Sequence, residues 1–257
     1  MEDGLHSADP RDLSAAFRRV LKSQRHKARR KFDRYAGRVA PRHCPMCSYY
    51  GMFGPFGVPR GYDTWCASRN APDRHRRIWL TITRRNLLIK SHRLLHFAAE
   101  VPQRCTVRLL VGRSATAELR ADTQPDHLIT IEDIALPDDS FERTICNHGP
   151  EQVDDQRALA EVYRVALPGG VAILASPVIE GWAQTDLTPD FNRKEDRLVH
   201  FGRAGHRRLF GRDLRDRIRA AGFALDEVPA VEPDVARNGL MRGEPVFIAT
   251  KPMAGAQ

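Results

Sequence analysis

The sequence predicts an α/β fold built on a doubly wound sheet, preceded by a basic helical segment and a small cysteine-bearing module. Three observations predict it. From Asp73 onward, short apolar runs alternate with amphipathic helical stretches over about 180 residues, the pattern of strands and helices packed in layers. Ahead of them, residues 41–72 are crowded with Pro, Gly, aromatics and three cysteines and show no helical period. Residues 1–43 carry twelve Lys and Arg against five acidic residues, so most of the net charge of +9 sits there.

The 257 residues suffice for one α/β core and a smaller appendage. A hydrophobic fraction of 42% with 28% charged residues excludes wholesale disorder. No apolar run approaches the roughly 18–20 residues of a membrane-spanning helix. The opening MEDGLHSADP lacks the apolar stretch of a secretory signal, so a cytoplasmic protein is expected.

The elements follow in order. Ser7 or Asp9 can cap a helix with Pro10 in its first turn, and Leu13, Phe17, Val20, Leu21, Ala28, Phe32 and Tyr35 recur near helical spacing. One or two basic helices are expected over residues 10–38, within a segment 1–40. Such a run either presents a solvated face or binds phosphates. Residues 41–72 are too long for an idle loop and too poor in core to stand alone, which makes a bound metal the economical explanation. Their Cys44-x-x-Cys47 and Cys66 agree, since a CxxC in a cytosolic protein points to metal or redox chemistry.

Over 73–257 the expected elements are a helix at Asp73–Leu88 and strands at 93–98, 105–111, 127–133 and 143–148. A helix over Asp154–Ala166, broken by Leu167-Pro168-Gly169-Gly170, leads to a central strand at 170–177. A helix at Arg212–Ala221 and the strands FALDEVPA and PVFIATKP close the chain.

Two segments carry a family likeness. Leu136-Pro137-Asp138-Asp139-Ser140-Phe141 and the series Glu161, Arg164, Val165, Leu167, Pro168, Gly169, Gly170 resemble the methyltransferase type 11 group of class I S-adenosylmethionine (SAM)-dependent methyltransferases. A subgroup of that family has a zinc-ribbon-like CPxC…CPxC, a basic ERHR helix, a first strand ending HxAPE and a fourth ending CNHVLEH. This chain shows Cys44-Pro45-Met46-Cys47 with Cys66, then Asp73-Arg74-His75-Arg76, His96-Phe97-Ala98-Ala99-Glu100 and Cys146-Asn147-His148. Its residues 201–223, FGRAGHRRLFGRDLRDRIRAAGF, look like the subgroup's FGQxDHVRxYGxDxxxRLxxAGF. The resemblance implies a Rossmann-like, mostly parallel seven-stranded sheet with the last strand antiparallel.

It also implies SAM as cofactor. His96, Ala98, Ala99 and Glu100 stand where the first turn wraps its methionine and ribose, without the usual GxGxG. Glu118, with Asp122 as rival, is the expected ribose carboxylate, and Asp133 either reaches the adenine or caps a turn. Asn147 and His148 end the fourth strand beside the methyl group, and either serve the chemistry or shape the pocket. His206 is a second candidate base, and Arg208 a candidate contact for a substrate carboxylate or phosphate.

Two departures stand out. Arg69 replaces the subgroup's fourth cysteine, leaving Cys44, Cys47 and Cys66, with His75 or His43 as a fourth zinc ligand and Asp63 a poorer one. The alternative is a degenerate module folded by aromatic packing. Gly149-Pro150-Glu151-Gln152 replaces VLEH, and Gln152 cannot act as a base.

The expected activity is methyl transfer to an O, N or C nucleophile of a small molecule, a specialised metabolite or a sugar-containing compound. The alternatives are an RNA methyltransferase using the basic N-terminus, or a non-catalytic SAM-fold partner protein.

Overall fold

The computed structural model describes residues 40–56, 61–119, 121–187, 193–253 and 255. The basic helices expected over residues 10–38 lie outside them.

The cysteine-bearing segment forms two small antiparallel sheets. β1 (Arg42–His43) pairs with β2 (Tyr50–Gly51), and β3 (Gly54–Phe56), β4 (Gly61–Cys66) and β5 (Ala71–Pro72) form the second. Cys44, Met46, Phe53, Cys66 and Ala71 make a small core, against which Trp79 packs. That tryptophan belongs to α1 (Asp73–Arg84), which starts directly after Pro72. Its Nε1 donates to the Pro45 carbonyl at 2.9 Å.

A second side chain of α1 ties the segment to the rest of the chain. Arg76 is fully buried. Its guanidinium donates to the carbonyls of Thr64 (3.0 Å), Ala71 (2.6 Å), Asn238 (2.9 Å) and Gly239 (2.7 Å), and lies 4.6 Å from the centre of the Phe53 ring. Burial pulls it down to about 10, so it stays charged at neutral pH.

The large sheet comprises β6 (Arg93–Phe97), β7 (Arg113–Glu118), β8 (His127–Leu128), β9 (Phe141–Asn147), β10 (Ala166–Ala175), β11 (Ala224–Pro229) and β12 (Pro245–Thr250). Their order is β11-β12-β10-β9-β6-β7-β8. The pairs β10–β9, β9–β6, β6–β7 and β7–β8 are parallel, and β12 runs antiparallel to both β10 and β11. This is the expected seven-stranded, Rossmann-like methyltransferase sheet, with its antiparallel last strand.

Alternation along the strands sends apolar side chains to both faces. On β10, Val171 and Ile173 join one cluster, which contains Ile78 and Ile82 of α1 and Val107 of α2 (Val101–Val107). Ala172 and Leu174 join the other, with Leu159 and Val162 of α3 (Asp155–Val165). Leu214 and Ile218 of α5 (Leu214–Ala220) complete that second cluster; α4 (Lys194–Phe201) precedes α5, and α6 (Asp234–Asn238) follows. Each fully buried Leu or Ile contributes about 1.5–3 kcal/mol. Asp154 caps α3, its Oδ1 accepting from the amides of Gln156 and Arg157 at 3.1 and 3.2 Å.

The expectations fail at one strand and shrink at another. Residues 105–111 are not a strand: Cys105 to Val107 close α2, and the run to Val111 packs beneath the sheet. A short apolar run fits a buried helix end as well as a strand, and Pro102 in the first turn starts the helix. The second parallel strand is instead Arg113–Glu118, a run of small and polar residues that no apolar signal marks. The strand expected over 127–133 is reduced to His127–Leu128, followed by a bridge between Thr130 and Asp133.

Candidate functional site

The carboxyl ends of β6, β7 and β9 open into a cavity of about 270 Å³, whose lining includes Phe97, Ala98, Glu118, Ile131, His148 and Gly205. A doubly wound sheet places its ligand crevice at this end because the helices draw the chain away there. Two non-glycine residues on its wall hold left-handed backbone, Ala98 at φ +48° and His148 at φ +58°. Such positions cost about 1–3 kcal/mol each and survive where surrounding contacts enforce them. Ala98 is held by its amide on the Ala117 carbonyl (3.1 Å), and His148 by its amide on Ala175 (2.9 Å).

Of the residues expected to hold the cofactor, Ala98 and Glu118 line the cavity. Glu118 is the last residue of β7, so moving the strand to 113–118 brings the expected carboxylate to the strand end. Asp122 lies in a short 3-10 turn just beyond. Asn147 is buried at the end of β9 and donates to Gln103 Oε1 at 3.3 Å. Its own Oδ1 and the Gln103 Nε2 are buried without partners, as is His96 Nε2. Burial drives His96 down to about 3, so the ring is neutral.

Ala99 is buried just past the turn, while Glu100 turns towards α1. Its carboxylate pairs with Arg74 and lies 3.5 Å from His75 Nε2. Burial opposes its charge, but those two partners prevail and hold it at about 2. Asp133 is exposed and does not line the cavity. Apolar walls, one carboxylate at the strand end and unsatisfied buried polar atoms beside it fit a nucleoside with a charged tail, as SAM is.

The two expected catalytic histidines meet around a residue to which the sequence reading gave no role. Glu151, 1% exposed, sits in the 3-10 turn Pro150–Gln152 that follows β9. His148 Nδ1 lies 2.8 Å from its Oε1, and His206 Nε2 lies 3.8 Å from the same oxygen. Ser176 Oγ donates to Oε2 at 2.9 Å. Burial works against the Glu151 charge, yet the imidazoles lower its pKa overall; burial lowers that of His206. One signal could have found Glu151: it stands at the glutamate of VLEH in the resembling subgroup. Ser176 had no such signal.

Arg208 is placed otherwise than expected. Its guanidinium pairs with Asp155, a buried carboxylate at the first position of α3 that Arg217 also contacts, at 3.1 Å. Arg208 therefore braces the segment after β10 against α3 and does not line the cavity.

The thiols of Cys44, Cys47 and Cys66 cluster, all three sulfurs lying within 4.8 Å of one another. Cys47 and Cys66 are 3.8 Å apart. Tetrahedral zinc with bonds of about 2.3 Å sets its sulfurs about 3.8 Å apart, so this edge has the right length. The mutual contact of Cys44 and Cys66 lowers the pKa of the Cys66 thiol and raises that of Cys44. No fourth His, Cys, Asp or Glu joins the group among the described residues. His75 faces Glu100, Asp63 pairs with Arg42, His43 lies in β1, and Arg69 reaches Thr106 at 3.5 Å.

Comparison with known proteins bears on the fold that carries this site. Residues 107–174 match the model of a family described as a methyltransferase domain. No curated protein sequence matches the chain. Among solved structures, the [4+2]-cyclase SpnF is similar at TM-score 0.50 and 16% identity, over 70% of this chain and 81% of that one. A complex of the Haloferax volcanii Trm112 methyltransferase activator with a methyltransferase is similar at TM-score 0.51 and 14% identity, over 70% and 91%. At such identities these likenesses concern the fold, and one of the two proteins is named for a different reaction. Residues 107–174 are thus similar to a methyltransferase domain, and the chain has a seven-stranded, Rossmann-like methyltransferase sheet.

Proposed function

We propose that the protein transfers a methyl group from SAM to a small-molecule acceptor. The observation that carries this reading is the cavity at the ends of β6, β7 and β9, with Ala98 and Glu118 on one side and His148 on the other. SAM, when bound, supplies an electrophilic methyl on a sulfonium. Glu118 accepts from the ribose hydroxyls, the turn at Ala98 and Ala99 cradles the chain beyond the ribose, and Asn147 with Gln103 takes polar atoms of the tail. His148 removes the acceptor's proton, and the segment carrying His206 covers the acceptor side. Apolar walls such as Phe97 and Ile131 exclude water from the reacting atoms. In this reading residues 73–257 form the catalytic domain, and residues 41–72 a zinc-ribbon-like module in which Cys44, Cys47 and Cys66 hold zinc with water as fourth ligand.

Calorimetric titration of the full chain with SAM tests the proposal. Saturable one-to-one binding is expected, and Glu118→Ala should weaken it about tenfold or more, as the loss of a charged hydrogen bond does. Unchanged affinity in both Glu118→Ala and Asp122→Ala would remove the ribose assignment, and no SAM binding by the wild type would remove the function. The described helices contain none long and apolar enough to cross a membrane.

A further inference from the structure

A buried carboxylate is costly unless its charge is met, and Glu151 is buried at the cavity's edge with no Lys or Arg ion-paired to it among the described residues. Its partners are a hydroxyl and two imidazoles. Ser176 Oγ holds Oε2 from the end of β10, which leaves Oε1 for His148 Nδ1. The histidine is fixed from its backbone as well. It holds φ +58° against the steric preference of a side chain with a Cβ, and the Gln152 side-chain Nε2 donates to its carbonyl. With Nδ1 turned to Glu151, Nε2 is the ring nitrogen that remains for a ligand in the cavity that His148 lines.

Resting on the methyl-transfer reading above, we infer that Glu151 is a positioning residue that holds His148 as the Nδ1–H tautomer with Nε2 as base, so that the acceptor is a neutral hydroxyl or amine whose proton must leave during transfer. The acceptor's lone pair forms the bond to the methyl carbon, the bond from that carbon to sulfur breaks with its electron pair going to sulfur, and the acceptor's proton passes to His148 Nε2. The resulting imidazolium lies against the Glu151 carboxylate, which needs a positive partner in its buried position. Thioethers and tertiary amines, which carry no proton to remove, gain nothing from this arrangement. The 3.8 Å separation from Glu151 Oε1 makes His206 Nε2 a looser neighbour, one that walls the carboxylate from solvent.

The test uses the full chain labelled with ¹⁵N in histidine, with SAM affinity measured alongside. Wild-type His148 should give the signature of a protonated Nδ1 and an unprotonated Nε2. Glu151→Gln should convert it to a tautomer mixture while leaving the SAM Kd within about threefold. With isotope-labelled SAM and a panel of phenols, alcohols and amines, transfer should go to acceptors bearing O–H or N–H, with kcat in Glu151→Gln reduced about 10²-fold and KM little changed. Glu151→Asp should recover part of that rate, and Ser176→Ala should show a weaker form of the same loss. An unaltered tautomer, an undiminished kcat, or SAM binding without transfer to any O–H or N–H acceptor overturns the inference. Tight binding of Mn²⁺ or Zn²⁺ that Glu151→Gln abolishes also overturns it, in favour of a metal site. Failure of the wild type to bind SAM would instead strike the methyl-transfer reading beneath it.

Discussion

Residues 41–72 and the seven-stranded sheet each surround a fully buried centre, but the centres differ in kind. The sheet is held at its centre by alternation: Val171 and Ile173 face one apolar cluster while Ala172 and Leu174 face the other, so β10 is sealed on both sides by apolar side chains. The cysteine-bearing segment has five buried residues in its core, two of them thiols, and its carbonyls converge on one guanidinium. A segment this small cannot bury enough apolar surface to offset its ordering, so it borrows from α1 through Arg76 and Trp79. The lesson is that the small region should fail through loss of polar contacts and the large one through loss of volume.

The sharpest way to break the comparison is Arg76→Met, which strands four buried carbonyls at once. It should cost about 3–5 kcal/mol in denaturant unfolding, with hydrogen exchange rising first in residues 41–72. A loss under about 1 kcal/mol would show that packing alone holds the segment. Next is Leu159→Ala on α3, expected to cost about 3 kcal/mol by leaving a cavity, with unfolding still cooperative across the sheet. If zinc occupies the thiols, metal at a hundred times its Kd should add about 2.7 kcal/mol to stability. Elemental analysis should then find one zinc per chain, and Cys66→Ser should abolish both effects. The smallest change is Trp79→Phe, which removes the hydrogen bond to Pro45 and part of the ring packed on the cysteine core, and should cost about 1–2 kcal/mol, read as a shift in the denaturant midpoint.

Much of the sheet was legible because its central strands are apolar on both faces. The runs at 143–148 and 170–177 overlap the strands Phe141–Asn147 and Ala166–Ala175. The edges were not. β7 is made of Arg, Ser, Ala, Thr, Ala and Glu, and Thr116 is held there by Asp126, whose Oδ2 accepts from its amide and its hydroxyl, both at 2.8 Å. That stabilisation comes from a residue ten positions away and leaves no trace in local hydropathy. The apolar run at 105–111 attracted the strand assignment because burial of a helix end and burial of a strand use the same side chains.

At the site, family-like motifs singled out Ala98, Glu118, Asn147 and His148; the structure lines the cavity with Ala98, Glu118 and His148 and buries Asn147 against Gln103, through contacts that no motif shows. Pairings decided the rest. Arg208 looked like a free cation and is bound to Asp155, His75 looked like a metal ligand and faces Glu100, and Glu151 passed unnoticed until its burial set it between two histidines. The sequence by itself determined the class of fold, the order of most elements and the three thiols, because periodicity, turn residues and spacing are properties of neighbours along the chain. The tertiary structure decided which charges meet. Long polar side chains follow no period, and their partners, from three to more than 160 positions away, are selected by the cost of leaving a buried charge or carbonyl unmatched.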